Sequence, residues 1–75
     1  MTLKDLAPGQ DGVIKVLEGK GPLRRRLIDM GITPGTKVFI RKIAPLGDPI
    51  QISLRGYELS LRKEDASKIK LVEKK

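Results

Sequence analysis

Residues 50 to 62 alternate between apolar and polar side chains, and this alternation predicts a β-hairpin. The runs 50–55 and 57–62 each place an apolar residue at every second position. That period is typical of a strand with one buried face. A two-residue turn at Arg55-Gly56 sets Leu54 opposite Tyr57, and the apolar side chains of both runs then share one face. We therefore predict an antiparallel pair in which Tyr57 faces inward.

Three further segments have the composition of strands, and they comprise residues 11–17, 36–43 and 69–72. The segment 36–43 is rich in β-branched residues, which favour strands. Alternation predicts inward side chains at Ile14, Val16, Val38 and Ile40, with Phe39 partly exposed. Frequent glycine and proline residues separate these short segments, and this pattern is typical of a small, mostly β domain.

A short helix is predicted between the first two strands. Pro22 suits a first helical position, and Gly31 suits the residue just past a helix end. Leu23, Leu27 and Met30 fall on one stripe at 100° per residue, which indicates a buried helix face. Residues 33–36, Thr-Pro-Gly-Thr, fit a type II turn. Residues 64–67 predict a single helical turn that begins with two acids.

Three successive arginines, Arg24, Arg25 and Arg26, lie on the predicted helix. On a helix they spread over roughly 200°, so they do not form one flat basic patch. Arg25 is also spaced to pair with Asp29 at i, i+4. This geometry favours a solvated helix face over a nucleic-acid clamp.

Composition narrows the chemistry that the chain can perform. The 75 residues suffice for one domain, 1–75, and we expect residues 74–75 to form a frayed tail. Cysteine and histidine are absent, which removes thiolate and imidazole ligands and the usual general base. We predict no enzyme activity, no catalytic residues, no cofactor and no metal ligands. No apolar run is long enough to span a membrane, and we expect a cytoplasmic protein without membrane insertion.

The net charge of +7 favours an acidic partner: nucleic acid, an anionic membrane surface or an acidic protein face. Single-strand binding usually needs exposed aromatic residues, and the chain offers only Phe39 and Tyr57. A basic barrel that binds nucleic acid non-specifically therefore stays a disfavoured alternative. A weak metal site built from carboxylates alone, such as Glu64 with Asp65, is a second alternative.

Four stretches together resemble one family. They are "LKDLAPGQDGVIKVL" (3–17), "RRRLIDMGITPG" (24–35), "APLGDPIQI" (44–52) and "GYELSLRKEDASKIKLVE" (56–73). The chain resembles the FeoA family, the small cytosolic accessory proteins of bacterial ferrous iron uptake. The resemblance implies a mostly β, SH3-like barrel of about five strands with one short α-helix inserted after the first strand.

The resemblance also implies a non-enzymatic role in ferrous iron transport, through contact with the membrane transporter FeoB or its cytosolic GTP-binding part. The protein would then be cytoplasmic, either free or held at the inner membrane by its partner. The family-level label "transition metal ion binding" has little physical support in a chain without cysteine or histidine. An exposed edge strand would also permit a homodimer.

Candidate residues divide into two groups. Residues expected to contact a partner are Arg24, Arg25, Arg26, Phe39, Arg41, Lys42 and Leu46. Residues that match the family motifs and are expected to shape turns and helix ends are Gly31, Pro34, Gly35, Pro45, Gly47, Asp48, Pro49 and Gly56. Charges such as those of the first group usually set association rate and salt dependence, whereas an exposed apolar group supplies an anchor.

Overall fold

Five strands and three short helical segments make up the fold of the computed structural model, which describes residues 1–72. The elements are a 3-10 turn (Leu3–Asp5), β1 (Asp11–Leu17), α1 (Pro22–Asp29), β2 (Lys37–Ile43), β3 (Ile50–Leu54), β4 (Tyr57–Leu61), α2 (Lys63–Ala66) and β5 (Ile69–Leu71). The expected frayed tail, residues 74–75, lies outside the described residues. The mostly β class and the helix after the first strand are confirmed.

The strands form one antiparallel sheet in the order β4-β3-β2-β1-β5. Strand β1 has two partners, because Asp11 lies opposite Phe39 of β2 while Leu17 lies opposite Ile69 of β5. Because β1 pairs with β2 over residues 11–13 and with β5 over residues 14–17, the sheet curves along this strand. The core therefore lies inside the curve rather than under a flat sheet.

A bulge in β1 overturns one predicted core position. The register with β5 shifts between Ile14 and Val16. The extra residue restarts the alternation, because a bulge sets two residues of one strand against one residue of the other. Ile14 is buried as predicted, but Val16 is 41% exposed and Leu17 is buried in its place. The prediction that Val16 points inward was wrong.

The predicted hairpin register is confirmed. Leu54 lies opposite Tyr57 and Ile50 lies opposite Leu61. Both turn residues have positive φ, 47° at Arg55 and 84° at Gly56, as a type I′ turn requires.

The inward placement of Tyr57 was wrong in degree, because its side chain is 44% exposed. It occupies the last strand pair before the turn, where the core ends. Its hydroxyl donates a hydrogen bond to the backbone carbonyl of Met30. Tyr57 therefore joins the hairpin to the end of α1 instead of filling the core.

Helix α1 ends in a Schellman motif, and Gly31 is the residue that the sequence predicted just past the helix end. Gly31 has φ of 91°, and its N–H donates to the carbonyl of Ile28 at 2.9 Å. The N–H of Ile32 donates to the carbonyl of Leu27 at 3.0 Å. These two bonds satisfy carbonyls that the helix end leaves free. Leu27 and Ile32 are both fully buried, so the motif is also pinned by the core.

One core unites the strands and helices. Its buried members are Leu3, Leu6, Ile14, Leu17, Leu27, Ile32, Val38, Ile40, Ile50, Ile52, Leu54, Leu61, Ala66, Ile69 and Leu71. Val38 and Ile40 are inward as predicted, and Leu23 and Met30 of the helix stripe pack against the core from its margin. Burying each large aliphatic side chain is worth about 1.5–3 kcal/mol.

The 3-10 turn at Leu3–Asp5 was not predicted. The Thr2 backbone N–H donates to the Asp5 carboxylate at 2.9 Å, and the Asp5 N–H donates to the Thr2 carbonyl at 3.0 Å. That first bond holds the pKa of Asp5 below its ordinary value. The Thr-x-x-Asp spacing of residues 2–5 was the available sequence signal, since it matches a capping box.

Among residues 1–72, none of the helices has the length and apolarity needed to cross a membrane.

Candidate partner-contact surface

The loop between β2 and β3, residues 44–49, is held by its own backbone. The Gly47 N–H donates to the Ala44 carbonyl at 2.7 Å, which closes a four-residue turn with Pro45 at its second position. The Ala44 N–H donates to the Pro49 carbonyl at 3.1 Å across the base of the loop. Gly47 has φ of 86°, a conformation that glycine adopts without strain. The loop is therefore a defined structure and not a slack connection.

Asp48 ties this loop to α2. Its Oδ1 accepts a hydrogen bond at 3.0 Å from the backbone N–H of Lys63, the first residue of that helix. The sequence predicted that Asp48 has a structural role at a turn or cap. The structure shows that the carboxylate serves a helix start fifteen residues further along the chain. The negative charge of Asp48 also interacts favourably with the positive, N-terminal end of the helix dipole.

Leu46 stands at the tip of this loop with 94% of its surface exposed. Phe39, the other apolar contact candidate, is 37% exposed on the outer face of β2 and lies opposite Ser53 of β3. The two residues therefore differ in kind, because Phe39 is mostly covered by the sheet around it whereas Leu46 projects from the surface.

The three arginines of α1 have different surroundings. Arg26 pairs with Asp65 of α2 at 3.1 Å, and Asp65 is only 8% exposed. This salt bridge links α1 to α2, so Arg26 has a structural role. Arg24 and Arg25 are exposed and form no salt bridge with the other described residues. The predicted pair between Arg25 and Asp29 is not formed.

The outer face of β2 carries the two remaining basic candidates. The Arg41 guanidinium lies 3.5 Å from the carboxylate of Glu58 on β4, and Gln51 of β3 donates to the same carboxylate at 3.0 Å. Lys42 is exposed and forms no salt bridge within residues 1–72. Of the five basic candidates, Arg24, Arg25 and Lys42 therefore stay available to a partner.

A polar corner that the sequence did not predict joins the hairpin turn to the residues after α1. The Arg55 guanidinium donates to the hydroxyls of Thr33 at 3.2 Å and Thr36 at 2.9 Å. Tyr57 bonds to Met30 beside it. The type II turn at 33–36 is present, with Thr36 N–H donating to the Thr33 carbonyl at 3.1 Å. No local pattern predicts this corner, because the bonded residues are 19 to 27 positions apart in sequence.

Within residues 1–72 no three acidic side chains come together in a way that could hold a metal ion. Asp65, one half of the carboxylate alternative, is engaged by Arg26. An open cavity of about 410 Å³ lies beside the start of β1, and Leu6, Gly12 and Leu71 are among the residues of its walls. Asp11, the acid among the described residues of this lining, pairs with Lys37 at 3.2 Å.

A small antiparallel sheet of five strands, with a structured β2–β3 loop and a short helix after β1, defines a small, mostly β domain. Comparison with known proteins agrees with this class. The sequence model of the FeoA domain family matches residues 1–73. The chain is 39% identical over 71 residues to an "Fe(2+) transport protein A/Fe(2+) transporter FeoB fusion protein" of Porphyromonas gingivalis, with 95% of this chain and 8% of that protein covered.

Solved structures give the same answer. The solution structure of iron(II) transport protein A from Clostridium thermocellum is 41% identical, with a TM-score of 0.91 over 95% of this chain and 44% of that one. The Stenotrophomonas maltophilia FeoA solved with zinc, described as a prokaryotic SH3 domain protein, has a TM-score of 0.84 at 22% identity over 96% of this chain and 89% of that one. The chain thus has an SH3-like fold.

The chain belongs to the FeoA family. It spans less than half the length of the first two proteins compared here, the fusion protein and the Clostridium thermocellum protein.

Proposed function

We propose that this chain is a non-enzymatic accessory protein of ferrous iron transport that acts by contact with the membrane transporter FeoB or its cytosolic GTP-binding part. The observation that carries the proposal is the relative in which a segment 39% identical to this chain is fused to an FeoB transporter. Fusion holds two modules at a high effective concentration, and it is useful when the two must meet.

The described surface supports an interaction role. Its exposed cations Arg24, Arg25 and Lys42 have no intramolecular ion-pair partners among residues 1–72. They can meet an acidic protein face without first breaking an internal salt bridge. Such charges raise the rate of encounter and orient the two partners. The site of action that follows is the cytoplasmic side of the membrane.

Deletion of the gene in the native host, with ferrous iron uptake assayed, tests the biological role. We expect uptake to fall, and to recover when the chain is supplied from a plasmid. Unchanged uptake in the deletion strain would refute the transport role.

The physical contact has a separate test. Tagged protein should retain the cytosolic part of FeoB at moderate salt, and its affinity for mixed oligonucleotides should collapse between low and physiological salt. Retention of oligonucleotide but not of FeoB at physiological salt would favour the nucleic-acid alternative.

A further inference from the structure

We propose that Leu46 is the anchor by which this chain docks, and that it enters an apolar pocket of the partner protein whose rim carries carboxylates. The inference rests on the proposed function, because it takes the cytosolic part of FeoB as that partner. It adds which face of the chain binds and what chemistry the receiving site must have.

Exposure alone does not mark an anchor, since single exposed apolar residues are common on protein surfaces. The loop beneath Leu46 makes the difference. Two backbone hydrogen bonds close it, from Gly47 to Ala44 and from Ala44 to Pro49. The Asp48 carboxylate fastens it to the first N–H of α2. The conformational entropy of the loop is thus lost on folding rather than on binding, and such preorganisation strengthens association.

The side chain of Leu46 has no evident role in the fold. It is 94% exposed, and it is not among the residues of the core or those packed against it. Nearly all of its apolar surface is therefore available for burial by a partner. A leucine that fills a fitted pocket at the centre of an interface gains far more than one at a rim.

The charges around the loop select the kind of pocket. Asp48, the acid of the loop, has its Oδ1 committed to the N–H of Lys63. The Lys63 ammonium lies close to Gly47: its Nζ is 4.0 Å from the position that a Cβ atom would occupy at Gly47. Lys63 is exposed and forms no salt bridge with the rest of the described chain. An apolar tip with a basic neighbour is complementary to an apolar pocket with an acidic rim.

Phe39 is the weaker anchor by the same criteria. More than half of its surface is already covered, and it lies within the sheet opposite Ser53. A partner would gain less area from it than from Leu46. A flat contact around Phe39 would also require desolvation of the neighbouring Arg41–Glu58 pair.

The test measures binding of the full chain to the purified cytosolic part of FeoB from the same host by titration calorimetry. Leu46→Ser should weaken binding about tenfold or more, with the melting temperature unchanged, because the side chain is outside the core. Val16→Ser is the matched control, since it removes an exposed aliphatic group on β1, and it should leave affinity within about twofold. Lys63→Gln should raise Kd and flatten its salt dependence, whereas Lys15→Gln on β1 should do neither.

The outcomes separate the two proposals. If the wild-type chain binds and Leu46→Ser binds equally well, the anchor is refuted while the proposed function stands. If the wild-type chain does not bind FeoB at all, both fail. If Leu46→Ser instead abolishes self-association in light scattering and leaves FeoB binding intact, the occupant of the loop is a second copy and the inference is overturned.

Discussion

At the scale of single residues, Gly31, which lies beside the polar corner, is required for two separate reasons. Gly31 has φ of 91°, which a residue with a side chain adopts only with strain. A Cβ added there would also lie 2.8 Å from the Tyr57 hydroxyl. The first reason is visible in the sequence as a helix-ending glycine, and the second depends on a residue 26 positions away. The glycine is therefore required by the tertiary contact as well as by the helix.

Gly31→Ala should destabilise the protein more than Gly35→Ala in urea unfolding. Both positions have φ near 90°, and an L residue in this region costs about 1–2 kcal/mol. Only at Gly31 would the new methyl group also displace the Tyr57 hydroxyl from Met30, which adds about 0.5–1.5 kcal/mol. The excess should disappear in a Tyr57→Phe background. Equal costs at the two glycines in the wild-type background would contradict this account.

Asp5 provides the pH-dependent prediction at this scale. The Thr2 N–H lowers the pKa of Asp5 in the folded state, so its carboxylate contributes stability above its ordinary pKa. That contribution is lost as pH falls through the lowered folded-state pKa. Asp5→Asn should therefore be less stable than wild type at pH 7, and the gap should narrow at an acidic pH below the ordinary pKa of an aspartate. Urea titrations at the two pH values would show it, and a gap that is the same at both would count against the assignment.

At the scale of elements, the contact between the β2–β3 loop and α2 illustrates how a very short helix is held. Helix α2 has four residues, too few to be stable by itself. Its first N–H is satisfied by Asp48 of the loop. The carboxylate of its buried residue Asp65 forms a salt bridge with Arg26 of α1. The helix thus exists because two other elements supply its end bond and its counter-charge.

Asp48→Ala should cost about 0.5–2 kcal/mol in unfolding free energy, the usual price of a lost helix cap. Asp48→Asn keeps an acceptor oxygen and should recover most of that loss, so the pair separates hydrogen bonding from charge. Amide hydrogen exchange at Lys63 should be faster in the alanine variant. Unaltered exchange at that amide would show that Asp48 does not hold the helix.

At the scale of the whole molecule, the basic charge is divided between internal pairs and surface groups. Arg26, Lys37, Arg41 and Lys70 each form a salt bridge within the fold. Because each of these pairs is neutral, the whole net charge of +7 remains with the other charged groups of the chain, and the exposed Arg24 and Arg25 of α1 are among them. The described part of the molecule therefore presents a positive electrostatic field, and most of its basic residues are outside the four salt bridges.

Arg25→Glu should lower the rate of association with the cytosolic part of FeoB several-fold at low salt, with little change in dissociation rate. The difference should shrink at high salt, where the screening length falls to a few ångströms. Lys15→Glu makes the same change in net charge from β1 and is the matched control. Equal slowing by both variants would show that net charge, not the position of α1, governs encounter.

The sequence by itself determined the local structure of this protein. The alternation of residues 50–62 and the Arg55-Gly56 turn determined the hairpin register, and Pro22 with Gly31 bounded the helix. These features depend on neighbours within a few positions, so local sterics and periodicity decide them. The resemblance of several motifs to one family supplied the SH3-like layout, which periodicity alone does not specify.

Only the tertiary structure decided which distant residues meet. The bulge that exposes Val16, the reach of Asp48 to α2 and the pairing of Arg26 with Asp65 all depend on how the sheet bends and where its edges come to lie. Arg26 and Asp65 are 39 residues apart, and nothing in either local segment specifies the other. Periodicity predicts which face of a strand is buried. The twist and bulges of the sheet determine which distant residues that face contacts.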